Sequence, residues 1–114
     1  MIPFTPKQCA AAYEFLRTLP PFCKWNLPPA SEVVFRVKHL ADCYGEYIFE
    51  GKHVITVSTA FVSQPLTLVR VMAHEMIHLR QAQHGEETKA QHNAAFRRQA
   101  ARVCRLHGFD PKEF

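Results

Sequence analysis

The chain has 114 residues, of which 47% are hydrophobic and 21% are charged. This length and apolar content predict a single domain over residues 1–114, because no linker, repeat or low-complexity run divides the chain. The formal net charge of +4 is compatible with an anionic partner such as nucleic acid. Residues 1–7 lack the pattern of an export signal and no apolar run is long enough to span a membrane, so we expect a soluble cytoplasmic protein without a membrane partner.

The first predicted element is a helix over residues 6–19. Thr5 is a suitable N-cap, Pro6 fits the first helical position, and Gln8 can complete a capping box with the cap residue. Apolar residues follow at helical spacing until two consecutive prolines stop the run. The chain therefore begins with an amphipathic helix that packs one face on the core.

The middle of the chain predicts a small sheet. A proline-rich loop over residues 20–31 leads into it, and we expect Phe22 and Trp25 of this loop to fill part of the core. From residue 33 onward hydrophobic residues alternate with polar ones, which is typical of half-buried strands, and Glu50 with Gly51 suits a tight turn. We therefore predict three antiparallel strands near residues 33–39, 43–50 and 53–58.

Two further helices are predicted after the sheet. A long helix starts at Pro65 and ends near His84, where Gly85 can adopt the left-handed conformation. A last helix near residues 93–107 is also followed by a glycine. The resulting fold class is α+β, with an N-terminal helix, a three-stranded sheet and two C-terminal helices.

The long helix carries the motif H-E-x-x-H at residues 74–78. Because a helix turns about 100° per residue, His74 and His78 share one face and can offer two imidazoles to one metal ion. Glu75 lies on the neighbouring strip, where it would accept a proton from water at the metal. The alternative is a pair of histidines on a solvated face, or bonded to main-chain carbonyls in the core.

The rest of this helix favours the metal site. Apolar side chains cover most of its circumference and leave one narrow polar strip with Thr67, Arg70, His74 and His78, and with Glu75 at its edge. A helix this apolar is largely buried, so the strip is expected to face a cleft. Histidines buried there without partners would cost several kcal/mol of stability.

A catalytic zinc usually has three protein ligands, so a third ligand is expected. His92 follows a polar connection and precedes the last helix, so this connection can bring it back to the metal. His84 lies six residues after His78, but the glycine that turns the chain out of the helix in proteins with that spacing is absent. We therefore favour His92 over His84, with Glu86 or Glu87 as the next alternatives.

The four cysteines, at positions 9, 23, 43 and 104, contain no C-x-x-C pair. They therefore do not indicate a zinc ribbon or a redox motif, and reduced thiols are expected. A cysteine near the metal is a weaker alternative, since histidines alone can complete a catalytic ligand set.

The H-E-x-x-H helix, followed by a segment from His92 to Phe96 that opens the last helix, resembles the SprT-like zinc metallopeptidases. In that family an H-x-x-x-F or H-x-x-x-W segment completes the site. The resemblance covers residues 63–107 well and the preceding helix and strands loosely. So small a single-domain version resembles proteins carried by bacteriophages or bacteria.

The resemblance implies a zincin-like α+β domain that hydrolyses peptide bonds in extended or unfolded protein, with DNA-associated protein as a candidate substrate. It implies Zn²⁺ as the cofactor, with His74, His78 and His92 as ligands and Glu75 as the general base. It also implies that the strand before the active-site helix, residues 53–58, can pair with an extended peptide.

A donor for the oxyanion of the transition state is also expected, and Tyr44, Tyr47 and His107 are the candidates. Each of these residues also fits an ordinary place in the sheet or at a helix end. The implied chemistry is otherwise complete, because zinc polarises the scissile carbonyl while Glu75 takes a proton and passes it to the leaving amine.

Arg98, Arg102 and Arg105 lie on one face of the last helix, with Arg97 beside them. They form either a solvated face opposite the Phe96 stripe or a ridge that contacts DNA phosphates, whose binding would weaken with salt. Two alternatives to a peptidase follow. One is a small DNA-binding module with a structural zinc, and the other is a zincin-like scaffold that binds proteins without cleaving them.

Overall fold

The computed structural model of the protein describes residues 3–114. The first two residues, part of the stretch in which the sequence indicates no export signal, lie outside the described residues. The main elements, in chain order, are α1 (Pro6–Arg17), β1 (Val33–Lys38), β2 (Gly45–Phe49), β3 (His53–Ser58), α2 (Pro65–His84) and α3 (Ala94–His107). This order confirms the α+β class.

The three strands form a mixed sheet, so the prediction of an antiparallel sheet was wrong. β3 lies in the centre, parallel to β1 on one side and antiparallel to β2 on the other. Residues 39–52, which include β2, connect β1 to β3 and return the chain to run in the original direction. Alternation of hydrophobic residues shows that a strand is half-buried, but it does not encode the direction of the neighbouring strand.

The central position of β3 corrects a second expectation. Residues 53–58 cannot pair with a peptide as the resemblance implied, because β1 and β2 already occupy both edges of β3. The unpaired edge on the side of the antiparallel pair belongs to β2 instead. Any strand added to this side of the sheet must therefore pair with β2.

α1 starts and packs as its sequence predicts. Thr5 Oγ1 accepts a hydrogen bond from the Gln8 N–H at 3.2 Å, and Gln8 Oε1 accepts one from the Thr5 N–H at 2.9 Å. The ring of Tyr13 on this helix packs edge-on against Phe35 of β1, with 5.4 Å between centroids. α1 therefore packs against β1, at one edge of the sheet.

The loop between α1 and β1 contributes to the core, as predicted. Phe22 and Trp25 are both buried, and their rings pack edge-on at 5.0 Å between centroids. The loop also contains two short 3₁₀ helices, Phe22–Lys24 and Ala30–Glu32. The two loop aromatics belong to the same hydrophobic cluster as the residues of α1, the sheet, α2 and α3.

α2 is buried along most of its length, which confirms its apolar pattern. Among its large apolar side chains the exception is Leu66, which is 83% exposed in the first turn. Gly85 ends the helix with a φ of 66°, as predicted, and α3 then packs against α2 through Phe96 and Val103.

Within residues 3–114, no helix has both the length and the apolar character needed to cross a membrane.

Candidate metal centre

A cleft of about 420 Å³ separates β2 from α2. Its walls are β2, the polar strip of α2, part of the connection between α2 and α3, and the last two residues of the chain. Arg70, His74 and His78 of the strip all line it, which confirms that the strip faces a cleft. The apolar remainder of α2 forces this arrangement, because it packs into the core and leaves one side of the helix free.

His74, His78 and His92 meet in this cleft. One ring nitrogen from each lies within 4.8 Å of the other two, and the Nε2 atoms of His74 and His92 are 3.1 Å apart. Nitrogen ligands at about 2.0–2.1 Å from a tetrahedral zinc ion lie about 3.3 Å from one another. The spacing of His74 and His92 therefore matches that of two ligands on one ion of this kind, and a ring nitrogen of His78 lies within 4.8 Å of both.

The alternative third ligands lie apart from this cluster. His84 is exposed at the C-terminal end of α2, because the helix continues past His78 and turns it away. Glu86 accepts a hydrogen bond from Arg80 at 3.3 Å. Glu87 lines the cleft, but it does not belong to the group of converging ligand atoms.

The three imidazoles are in the neutral form that metal ions bind. Burial, with a smaller contribution from the neighbouring His92, lowers the pKa of His74 to about 4. Burial together with the other two rings lowers the pKa of His78 to about 3, and burial also lowers the pKa of His92. At neutral pH the site therefore offers nitrogen lone pairs with no proton to displace.

Glu75 lies beside this cluster and is only 4% exposed. Burial, with a smaller contribution from the nearby Glu46, raises the pKa of its carboxyl group to about 8. A divalent cation in the same cleft would act in the opposite direction, because it stabilises the ionised carboxylate. Without a metal ion, the burial of Glu75 therefore favours its protonated form.

A family model described as the SprT-like family matches residues 12–113. The chain belongs to the SprT-like family. The match extends the resemblance seen in α2 and α3 to the second half of α1 and to the whole sheet. No curated protein and no solved structure matches the chain.

Phe96 provides a common packing surface for the three histidines of this SprT-like domain. Its ring centroid lies 4.9 Å from that of His74, 4.5 Å from that of His78 and 4.4 Å from that of His92. Sequence reasoning treated Phe96 as a core residue of α3 and missed this role. The signal was present in the H-x-x-x-F spacing, which places the phenylalanine four residues after His92, in the first turn of α3.

A second feature that sequence reasoning missed fixes the segment carrying His92. Gln81 on α2 is buried, and its side-chain amide bonds to the side chain of Asn93. Asn93 also caps α3 by accepting a hydrogen bond from the Phe96 N–H at 2.9 Å, and it donates one to the Glu86 carbonyl at 3.0 Å. A buried polar residue on an otherwise apolar helix face was the available signal.

A close approach between β2 and α2 places the carboxylate of Glu75 at the edge of the sheet. A Cβ atom built on Gly45 would lie 3.3 Å from Glu75 Oε2 and only 2.9 Å from Val71 Cγ1 and from the Thr56 carbonyl oxygen. The SprT-like domain therefore needs glycine at this position to bring β2 against α2.

The three candidate oxyanion donors differ in position. Tyr44 and Tyr47 line the cleft, but the Tyr47 hydroxyl forms a 2.6 Å hydrogen bond with Nδ1 of His53. His107 instead donates from Nε2 to the Pro20 carbonyl at 2.5 Å and stacks on Phe22. Of the three candidates, only Tyr44 both lines the cleft and forms no such hydrogen bond with another residue of the range 3–114.

Two other predicted groups lie outside the histidine cluster. Arg98, Arg102 and Arg105 are exposed on α3, and none forms an ion pair with another residue of the range 3–114. The four thiols are free, as expected, and Cys43 lines the cleft without joining the converging ligand atoms.

Proposed function

We propose that this SprT-like protein is a zinc-dependent metallopeptidase that hydrolyses peptide bonds in extended or unfolded protein. The observation that carries the proposal is the convergence of His74, His78 and His92 in a cleft beside the buried carboxylate of Glu75. Three imidazoles leave an open position on a four-coordinate ion, and an adjacent acid/base group can then transfer protons during hydrolysis.

Zinc is the metal we propose for the site. Three neutral nitrogen ligands suit zinc, whereas magnesium and calcium prefer oxygen ligands. When bound, zinc supplies a Lewis acid that polarises the scissile carbonyl and lowers the pKa of water. Structural zinc sites usually have four ligands rich in cysteine, and none of the four cysteines joins this cluster, which disfavours the structural-zinc alternative.

Glu75 is proposed as the general base. Its carboxylate takes a proton from the attacking water and then passes it to the nitrogen of the leaving amine. The low exposure of Glu75 keeps bulk water away from the transferred proton. Phe96 restricts the three imidazole rings by contact, so the ligand set is ordered before substrate arrives.

The free edge of β2 is the proposed binding site for the peptide main chain. The Tyr44 carbonyl accepts a hydrogen bond from the Ser58 N–H at 2.8 Å, so Tyr44 directs its main-chain groups toward β3. In an antiparallel pair this direction alternates, so Gly45, Tyr47 and Phe49 direct theirs to the free edge. A peptide paired there would gain affinity with little dependence on its side chains.

DNA is a proposed partner rather than a substrate. Three exposed arginines lie on one face of α3 and form no ion pair with an acidic residue of the range 3–114, which supports contact with phosphates. The formal net charge of +4 agrees in sign. Binding to DNA would bring the peptidase to DNA-associated protein. The proposed peptidase chemistry does not depend on this contact.

Bound zinc and proteolysis of an unfolded protein, each measured with and without DNA, test the proposal. We expect one zinc per chain in the wild type and in Glu75→Gln, and cleavage in the wild type that falls by at least about 100-fold in Glu75→Gln. His92→Ala should lose zinc, whereas His84→Ala, the matched control at the exposed end of α2, should retain it.

Each contrary result removes a different part of the proposal. A fully active Glu75→Gln protein would exclude Glu75 as the base. Loss of zinc in His84→Ala but not in His92→Ala would move the third ligand to His84. Zinc without cleavage under either condition would favour a non-catalytic scaffold, and absence of zinc from the wild type would refute the metal site.

A further inference from the structure

The C-terminal residues fold back over α2 at the metal centre. The rings of Phe109 and Phe114 stack with 5.7 Å between centroids, and both pack against the hydrophobic core. Arg70 on α2 donates a hydrogen bond to the main-chain oxygen of Glu113. Two apolar contacts and one charged donor therefore hold this segment in place.

The same segment contacts a proposed metal ligand. Nδ1 of His74 lies 2.6 Å from the main-chain oxygen of Phe114, and the two rings are 5.3 Å apart between centroids. A main-chain oxygen can only accept a hydrogen bond, so Nδ1 carries the proton of the neutral imidazole. The lone pair is then on Nε2, the atom 3.1 Å from His92 Nε2.

Arg70 and His74 are one helical turn apart on α2, so they contact successive residues of the folded-back segment. The Arg70 contact orients the main chain at Glu113, which sets the position of the next main-chain oxygen. Phe114 has no side-chain polar group to offer, so its contribution to His74 comes from this oxygen and from ring packing.

We propose that residues 113–114 are a positioning element of the metal centre. In this proposal the main-chain oxygen of Phe114 fixes the tautomer and the ring orientation of His74, and Arg70 holds that oxygen in place through Glu113. The inference rests on the proposed metal site and adds to it a partner outside the ligand set. Such partners typically change metal affinity by about 10-fold to 100-fold when they are removed.

The test compares the full chain with a variant that lacks residues 113 and 114, and with Phe114→Leu as the matched control. Phe114→Leu keeps the acceptor oxygen and an apolar anchor, whereas the deletion removes both. Zinc affinity, measured by competition with a chromophoric chelator, should fall by about 10-fold to 100-fold in the deletion and by no more than about threefold in Phe114→Leu.

A second measurement uses the metal-free protein. Two-bond ¹H–¹⁵N correlations of the imidazoles, with His74 assigned by comparison with His74→Gln, report which nitrogen carries the proton. We expect the Nδ1–H tautomer in the full chain and in Phe114→Leu, and loss of this preference in the deletion. Because no metal is involved, this readout is independent of the proposed function.

Two results would overturn the inference. One is the Nε2–H tautomer of His74 in the full chain, which tests the proposal even if the deletion variant does not fold. The other is a folded deletion variant with wild-type zinc affinity, a result that would leave the proposed peptidase intact. Absence of zinc from the wild type would instead refute the metal site, while the tautomer measurement would still decide the His74 contact.

Discussion

Gln81 Nε2 on α2 donates a 2.9 Å hydrogen bond to Oδ1 of Asn93, the residue that caps α3. Gln81 is 2% exposed, so this bond forms away from solvent. Asn93 directly follows His92, and its Oδ1 also accepts the Phe96 N–H. This one amide oxygen therefore fixes three features relative to α2. They are the start of α3, the proposed third ligand His92, and the Phe96 ring that packs against the histidines.

Replacing Gln81 with leucine should loosen the third ligand. Gln81→Leu removes the bond but keeps the side-chain volume, so we expect zinc affinity to fall by about tenfold through misplacement of His92. The free energy of unfolding should fall by about 1–2 kcal/mol. Chelator competition and urea denaturation measure the two effects.

Gln83→Leu, at an exposed position of the same helix, is the control and should change neither the zinc affinity nor the free energy of unfolding. Wild-type zinc affinity in Gln81→Leu would show that the bond does not position His92.

The buried carboxyl group of Glu75 should make the stability of the metal-free protein depend on pH. Its pKa is about 8 in the folded protein against an ordinary value of 4.5, so the folded state holds this proton between those pH values while the unfolded state releases it. Stability therefore falls as pH rises from 4.5 to about 8.

The Glu75→Gln variant has no carboxyl group at this position, so its stability lacks the pH dependence that Glu75 causes. Denaturation of both metal-free proteins across pH 4.5 to 8 should show the variant gaining stability relative to wild type as pH rises, in the window set by the two pKa values. Glu32→Gln, an exposed carboxylate removed in the same way, serves as the control and should follow the wild type. A constant difference between wild type and Glu75→Gln would mean that Glu75 ionises normally in the folded protein.

Gly45→Ala should damage both stability and activity. The new Cβ would meet the Thr56 carbonyl and Val71 Cγ1 at 2.9 Å, so β2 must move away from α2 and from Glu75. We expect a loss of about 1–3 kcal/mol of unfolding free energy and reduced cleavage per folded molecule. Denaturant titration and a peptidase assay at matched folded concentration measure these effects.

Gly51→Ala separates the effect on stability from the effect on cleavage. Gly51 lies in the β2–β3 turn with a φ of 72°, but a Cβ there meets no atom within 4 Å. Its replacement should cost about 1 kcal/mol through backbone strain while leaving cleavage per folded molecule unchanged. Equal effects of the two alanine substitutions on cleavage would show that the close approach at Gly45 is not needed for activity.

The arginine ridge predicts salt-sensitive binding to DNA. Replacing Arg98, Arg102 and Arg105 together with glutamine should weaken binding to duplex DNA and reduce the slope of log affinity against log salt by up to about 3. A variant with the same charge change elsewhere, in which exposed Lys7, Lys24 and Lys38 become glutamine, is the control. Equal losses in the two triple variants would indicate general attraction by net charge and no defined ridge.

Local patterns were sufficient for the helices and for part of the site. The capping box of Thr5 and Gln8, the proline at the start of α2 and the left-handed Gly85 act over a few residues, and each is where the sequence places it. His74 and His78 share a face for the same local reason. The absence of a helix-breaking glycine after His78 correctly predicted that His84 points away.

The features that depend on residues distant in sequence needed the tertiary structure. Strand direction was wrong because alternation is the same in parallel and antiparallel pairs, and the peptide-binding edge changed with it. The Gln81–Asn93 bond, the close approach at Gly45 and the Phe114 contact to His74 each join separate segments. By itself the sequence determined which residues can do the chemistry, since helical periodicity and spacing are local. Only the tertiary structure decided what orients them, because those partners meet through packing of α2 against the sheet, α3 and the C-terminal residues.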